Sequence, residues 1–476
     1  MLFNTWTYGL FLPLVFALYL LLPLRGRQIM LLAASYVFYC WEKPVYGLLL
    51  LASTVLDYFA GLLIEGAATQ GRRRLWLACS LAGNLGMLGF FKYADFVGSN
   101  VCGIGALLGI NTHWDMLNYV LPVGISFYTF QTMSYTIQVY RRQAPAERNP
   151  FTFALYVSFF PQLVAGPIER ATNLLPQLNT YHRITSEDLA AGATRILVGL
   201  FRKVVIADRA AIVVNAVFTN PDAYPASMLW LGVVFFSVQI YFDFAGYADI
   251  AIGSARLFGI HLCENFNYPL LSRSIADFWN RWHMTLTGWF RDYVFYPLGG
   301  FRKGGARAAL NGAIVLLLCG LWHGAQWHFV LWGVFNAVLL TGYYAWKFWQ
   351  KRQGIHNKAA HALRPAVLAS IAFTFVLNCL GLVFFRSPNL QVIGKMFSGM
   401  FGFRAVPVES AGWCLWVWWA FFAFLAVLEF SQGHLNLNDR IRKWPWPAKA
   451  IGLALLAALT LLGAVNLDAP YIYFQF

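Results

Sequence analysis

Charge is what this sequence has least of. Asp, Glu, Lys and Arg make up 12% of its 476 residues, and 59% are hydrophobic. Apolar runs of helix length recur from end to end, which excludes a string of soluble domains and gives a polytopic membrane protein. Those runs are too long and continuous for barrel strands. Inside hydrocarbon each backbone amide must find its partner within its own segment, so the fold expected is an all-α bundle. Acidic residues are scarcer still, 20 against 35 basic ones. The basic residues sit singly or in short clusters between apolar runs, the pattern of cytoplasmic loops and not of a nucleic-acid face. The seven cysteines (Cys40, Cys79, Cys102, Cys263, Cys319, Cys379 and Cys414) are odd in number and none lies in a C-x-x-C spacing. That argues against a disulfide framework and against a zinc site. There is no internal repeat, which counts against a transporter built from two related halves.

What is present is a series of membrane segments, expected near 8–24, 28–41, 45–65, 75–97, 118–140, 189–218, 228–260, 309–345, 365–385, 412–430 and 448–467. About 11–12 membrane helices are thus expected, in one domain covering 1–476. The first run, Tyr8 to Leu22, has no basic residue before it, has Arg25 and Arg27 after it, and lacks a small-residue cleavage site. It reads as a retained signal anchor with its N-terminus outside. Arg72–Arg74, Arg141–Arg142 and Arg202–Lys203 mark cytoplasmic edges. Arg440, Arg442, Lys443 and Lys449 do the same before the last run, which sends the tail 468–476 outside. Two stretches read as re-entrant. Phe151–Ile168 carries Pro161, Gly166 and Pro167, and 263–300 is interrupted by Asn265, Asn267, Pro269 and Asp277. Irregular backbone at membrane depth survives only where protein or a water-filled cavity satisfies it.

Polar residues in apolar surroundings are the functional candidates. His323 lies in Gly320-Leu-Trp-His-Gly324, and at ~1.5 Å per residue across a ~30 Å slab it is expected near mid-membrane. An ionisable group there is a functional hypothesis by default, although the flanking glycines also suit close helix packing. His283 follows Phe278-Trp-Asn-Arg-Trp282. A second polar seam holds Gln239 and Asp243, four apart on one helix face, with Tyr247 and Asp249 beyond. Buried carboxylates must be paired or neutral. Asp243 and Asp249 are therefore expected either to hold Arg281, Arg291 or a histidine, or to serve as structural glue. Two histidines do not make a metal site, and His328, five residues past His323, points to another face. General-base chemistry suits an imidazole better, because it titrates near neutral pH.

Several stretches together resemble the bacterial membrane-bound O-acyltransferase family, in its alginate and peptidoglycan O-acetyltransferase membrane-subunit branch. They are Leu121–Tyr128, Phe160–Pro167, Tyr241–Asp249, Glu264–Asn267, Phe278–His283 and Leu321–Gly324. The branch includes relatives acting on cellulose and on teichoic acid. The resemblance implies helices ringing a funnel, with His323 in place of the family's catalytic histidine and His283 in place of its second active-site residue. Asn280 departs from the arginine that many relatives carry. Gln239, Asp243, Asp249, Asn267, Arg281 and Trp322 are expected to line or support the site. Tyr471-Ile-Tyr473-Phe-Gln-Phe476 resembles a tail in which a tyrosine is proposed to carry the acyl group, so Tyr473 is a carrier candidate. A tyrosine at a membrane interface is equally an aromatic anchor. A phenol of pKa ~10 is only somewhat more basic than a thiol of ~8.5, so an aryl ester would keep much of a thioester's transfer potential.

The expected function is O-acetyl transfer from a cytoplasmic thioester, acetyl-CoA as donor with no bound cofactor. The acceptor would be an exported polysaccharide, with a periplasmic hydrolase-like partner and the protein in the bacterial inner membrane. His323 would deprotonate the acceptor hydroxyl, and His283 would polarise the acyl carbonyl. The alternatives are a transporter or channel using Asp243, Asp249, His283 and His323 as a solute or proton path, and a non-catalytic assembly platform.

Overall fold

The computed structural model describes residues 1–110, 112–117, 121–353, 364–402, 415–434, 444–464 and 471–472. Among these residues the regular structure is helical throughout, with no strand. The chain divides into two compact units: Met1–Gly199 with Tyr247–Glu264, and Leu200–Gly246 with Asn265–Ile472.

The first unit contains α1 (Trp6–Leu21), α2 (Leu24–Cys40), α3 (Tyr46–Gly66), α4 (Gln70–Leu88) and α5 (Ala94–Leu107). It continues with α6 (Ile125–Tyr140), α7 (Pro150–Ser158), α8 (Ala171–Leu178) and α9 (Ser186–Leu200). Starts are set by local chemistry. Thr5, Thr69 and Asn149 each accept a hydrogen bond from a first-turn amide that would otherwise lack a partner. Helices α3, α4 and α6 are joined by a buried polar hub. Asp57 accepts from Ser80 Oγ at 2.6 Å and Asn84 Nδ2 at 2.7 Å. Asn84 Oδ1 in turn accepts from Ser53 at 2.9 Å and Thr132 at 3.3 Å. Hydrogen bonds of this kind fasten helices where apolar packing alone gives little preference for one neighbour.

The irregular stretch expected after 151 is present. Helix α7 stops at Ser158, and Phe159, Phe160, Leu163, Val164, Ala165 and Ile168 are all buried. Protein satisfies the broken backbone. The Phe160 amide donates to Ser35 Oγ at 3.1 Å, and the Tyr156 carbonyl accepts from Gln131 and Gln162 at 2.6 and 3.0 Å.

The second unit opens with a π-helical turn, Phe201–Ala207, followed by α10 (Asp208–Thr219) and the part of α11 (Ala226–Leu257) up to Gly246. Then come α12 (Ile275–Trp279), α13 (Met284–Phe290), α14 (Gly305–His323) and α15 (Trp327–Arg352). It ends with α16 (Pro365–Arg386), α17 (Leu390–Phe401), α18 (Leu415–His434) and α19 (Trp446–Gly463). The run expected as one segment over 309–345 is in fact a hairpin, α14 turning into α15. Its helices approach closely at two glycines. A methyl at Gly320 would strike the Phe329 carbonyl, and one at Gly333 would come within 2.8 Å of the Leu316 carbonyl.

Among the described residues seven helices are long and apolar enough to cross a membrane. They are Tyr46–Gly66, the run Gln70–Leu107, Ala226–Leu257, Gly305–His323, Trp327–Arg352, Pro365–Arg386 and Trp446–Gly463. Trp6–Leu21 and Trp419–Gly433 are apolar but shorter. The run expected near 189–218 is divided by the π turn into two helices, and the one near 118–140 begins only at Ile125, after the left-handed Gly124. The chain is a multi-pass membrane protein.

Candidate active site

Short α12 starts where Ser274 Oγ accepts the Asp277 amide at 3.2 Å, and it ends after five residues. The chain then turns so that His283 becomes the N-cap of α13 in a left-handed conformation, φ 42°. A residue with a β-carbon pays about 1–2 kcal/mol there, so the surroundings must hold it. The segment around Asn265 does so. The Met284 amide donates to the Asn265 carbonyl at 2.9 Å, and the Thr285 amide and hydroxyl donate to Asn265 Oδ1 at 3.3 and 3.0 Å. His283 Nδ1 lies 3.0 Å from the same oxygen. Two residues on, the Asn267 amide donates to the Arg281 carbonyl at 2.9 Å.

His323 is the last residue of α14, next to the turn into α15 that divides the run expected over 309–345. The hydrophobic run does not end there, but Gly324 adopts an extended conformation that breaks the helix. The imidazole is walled by rings. Its centroid lies 5.0 Å from Trp322, 5.2 Å from Trp332, 5.0 Å from Phe385 and 6.5 Å from Phe329. Cys319, one turn back, places Sγ 3.9 Å from Nε2. The Trp322 ring also meets the His283 ring, edge-on at 6.0 Å. Both histidines are buried, and the His283 ring also lies 4.7 Å from Phe244 and 6.5 Å from Phe266. Residues 40 apart in sequence are thus brought to one tryptophan.

The polar seam has partners other than those expected. Asp243 holds neither an arginine nor a histidine but Lys203, at 2.6 Å, and Lys203 also pairs with Asp208 at 2.9 Å. Lys203 is 1% exposed and is the centre of a buried triad. The second oxygen of Asp243 accepts the Ile472 amide at 2.8 Å, and the Tyr471 ring lies 4.6 Å from the Lys203 ammonium. Asp249 belongs to the first unit, where it pairs with Arg195 at 3.0 Å. Arg195 also pairs with Glu264. Arg281 is engaged by Asp277 at 2.8 Å and Arg291 by Asp292 at 3.1 Å, so neither serves the seam. The Gln239 side-chain oxygen is buried with no hydrogen-bond partner among the described residues. His328 is committed elsewhere, with Nδ1 3.2 Å from the Phe384 carbonyl and Nε2 2.5 Å from Gln326 Oε1. Asn280 is exposed. Tyr473 and the tail cluster Arg440, Arg442 and Lys443 lie outside the described residues.

Two supporting residues escaped the sequence reading. Lys203 was hidden by its neighbour Arg202, because two adjacent basic residues read as a loop. Asn265 sits in the same Glu264–Asn267 stretch as the expected Asn267, and only the fold shows which asparagine grips the histidine.

The profile of the membrane-bound O-acyltransferase family matches residues 139–385, a span containing both histidines and Asn265. A probable alginate O-acetylase AlgI of Azotobacter vinelandii is 40% identical over 402 residues, covering 83% of this chain and 76% of the relative. The peptidoglycan O-acetyltransferase of Helicobacter pylori is 35% identical over 434 residues, covering 83% and 79%. A teichoic acid D-alanyltransferase of Bacillus subtilis is 28% identical over 327 residues, covering 62% and 80%. This chain belongs to the membrane-bound O-acyltransferase family and is an acyltransferase of the membrane.

Proposed function

We propose that this protein moves acetyl groups from acetyl-CoA on the cytoplasmic side of the bacterial inner membrane for O-acetylation of an exported polysaccharide. The observation that carries the reading is the convergence of His283 and His323 on the ring of Trp322. The names of the relatives, which act on alginate and peptidoglycan, favour a polysaccharide acceptor. His323 serves as general base. The acceptor oxygen attacks the thioester carbonyl carbon, the C–O bond forms as the C–S bond breaks, and the hydroxyl proton passes through His323 to the leaving sulfur. His283 is the second functional imidazole beside the reacting acyl group. Access from the two membrane faces runs through a funnel between helices, both termini lie in the periplasm, and a periplasmic hydrolase-like partner completes transfer to the polymer. Tyr473 is the candidate first acceptor, forming an aryl ester that is passed on.

The transport alternative loses support from the pairing of its acids. Asp243 is ion-paired with Lys203 and Asp249 with Arg195, so both acids are engaged by basic side chains and not by the histidines. Replacing His323 with Ala should remove O-acetyl groups from the exported polymer while leaving the protein in the membrane, since a positioned base contributes about 10²–10⁴-fold. Normal polymer acetylation by that variant would refute the assignment. Tyr473→Phe tests the carrier separately: acetylation should fall sharply, and an unchanged product would return the tail to an anchoring role.

A further inference from the structure

The hydrogen bonds around Asn265 fix more than a backbone turn. A backbone N–H can only donate, so the Asn265 atom that meets the Thr285 amide at 3.3 Å is the oxygen and not the NH2 group. That same oxygen lies 3.0 Å from His283 Nδ1. An oxygen that only accepts requires a hydrogen on the ring nitrogen facing it, so Nδ1 carries the proton. In the neutral ring the other nitrogen, Nε2, is then an acceptor.

Two further observations support this orientation. The opposite flip of Asn265 would set its NH2 against the Thr285 amide, two donors face to face. The orientation present keeps the oxygen against its donors even though Nδ2 is left buried with no partner among the described residues, which is unfavourable. Asn265 is 1% exposed, so solvent does not repay it. The backbone is also spent on the same end, with His283 held at φ 42° by the Asn265 carbonyl through the Met284 amide. Strain of this kind gathers where a side chain must be aimed.

We infer that Asn265 is a positioning residue that fixes His283 as the Nδ1–H tautomer, so that His283 meets the substrate through Nε2 as a proton acceptor. This rests on the acyl-transfer reading and changes it in one respect. A neutral His283 held this way does not donate a hydrogen bond to the acyl oxygen, so the developing negative charge there must be met by another donor. Both imidazoles of the site then handle protons.

The test uses the full-length protein in lipid nanodiscs with 15N-labelled histidine, the His283 signals being identified as those lost in His283→Gln among the nine histidines. The wild type should show Nδ1 protonated and Nε2 bare. Asn265→Leu should lose that preference and lower thiol release from acetyl-CoA by at least about tenfold, because a wrong tautomer alone can cost up to about 10⁴ in a comparable hydrolase site. Asn265→Asp keeps an acceptor facing Nδ1, so the tautomer should persist. Its negative charge favours the imidazolium, and the acid limb of the pH–rate profile should move up by about one unit or more. An Nε2–H ring in the wild type, an unaltered tautomer in Asn265→Leu, or an Asn265→Asp profile superimposable on the wild type would each overturn the inference. Failure of the wild type to release thiol would sink acyl transfer from acetyl-CoA instead, and the 15N spectrum would still decide the tautomer.

Discussion

The second unit buries two kinds of polar group, and they are handled in opposite ways. Lys203 is enclosed by Asp208 and Asp243, and the latter also takes the Ile472 amide. Charge meets charge, and every group named has its partner within the protein. His283 and His323 sit instead among the rings of Phe244, Phe266, Trp322, Trp332 and Phe385, and the neutral Asn265 Oδ1 lies 3.0 Å from His283 Nδ1. A closed ion-pair network suits holding a fold together, and here it holds Tyr471 and Ile472 near the end of the chain. An imidazole among rings suits the proton transfer proposed for it, because it titrates near neutral pH.

The contrast can be broken from either side. The largest stability effect should come from Lys203→Met, which leaves two buried carboxylates without their cation. A loss of about 3–5 kcal/mol is expected, read as a fall in unfolding midpoint and in recovery of folded protein. Adding Asp208→Asn and Asp243→Asn to Lys203→Met should restore most of it, since a network that is removed whole costs far less than one that is broken. A Lys203→Met protein as stable as the wild type would mean that the triad is not structural. Asp277→Asn should do much less. Its pair with Arg281 is partly exposed and spaced i to i+4, so about 0.5 kcal/mol or less is expected. A shift as large as that of Lys203→Met would erase the distinction between buried and exposed pairs.

Much of the architecture was legible from the sequence because hydrocarbon is an exacting solvent. Long apolar runs, the proline-broken stretch around Pro161–Pro167 and the two histidines stand out against it. Pairing was less legible. Asp243 could be seen to need a cation, but whether Lys203, Arg281 or Arg291 supplies it depends on how the π turn 201–207 rotates Lys203 inward, which no periodic pattern reports. The end of α14 was hidden for a similar reason. Trp327-His-Phe-Val-Leu-Trp is apolar enough to continue a helix, and only the extended Gly324 divides the run. Asn265 and Asn267 share one short motif, and spacing alone does not tell which faces the imidazole.

The central claim is that His283 and His323 act on one acyl group. Thiol release from acetyl-CoA by nanodisc-reconstituted wild type, His283→Ala, His323→Ala and the double variant tests it directly, each protein first shown to be folded. Residues that act as a unit are non-additive. The double variant should therefore be no slower than the slower single one, with His323→Ala at least about 10²-fold below the wild type. Losses that multiply in the double variant, or a His323→Ala protein as fast as the wild type, would contradict the account.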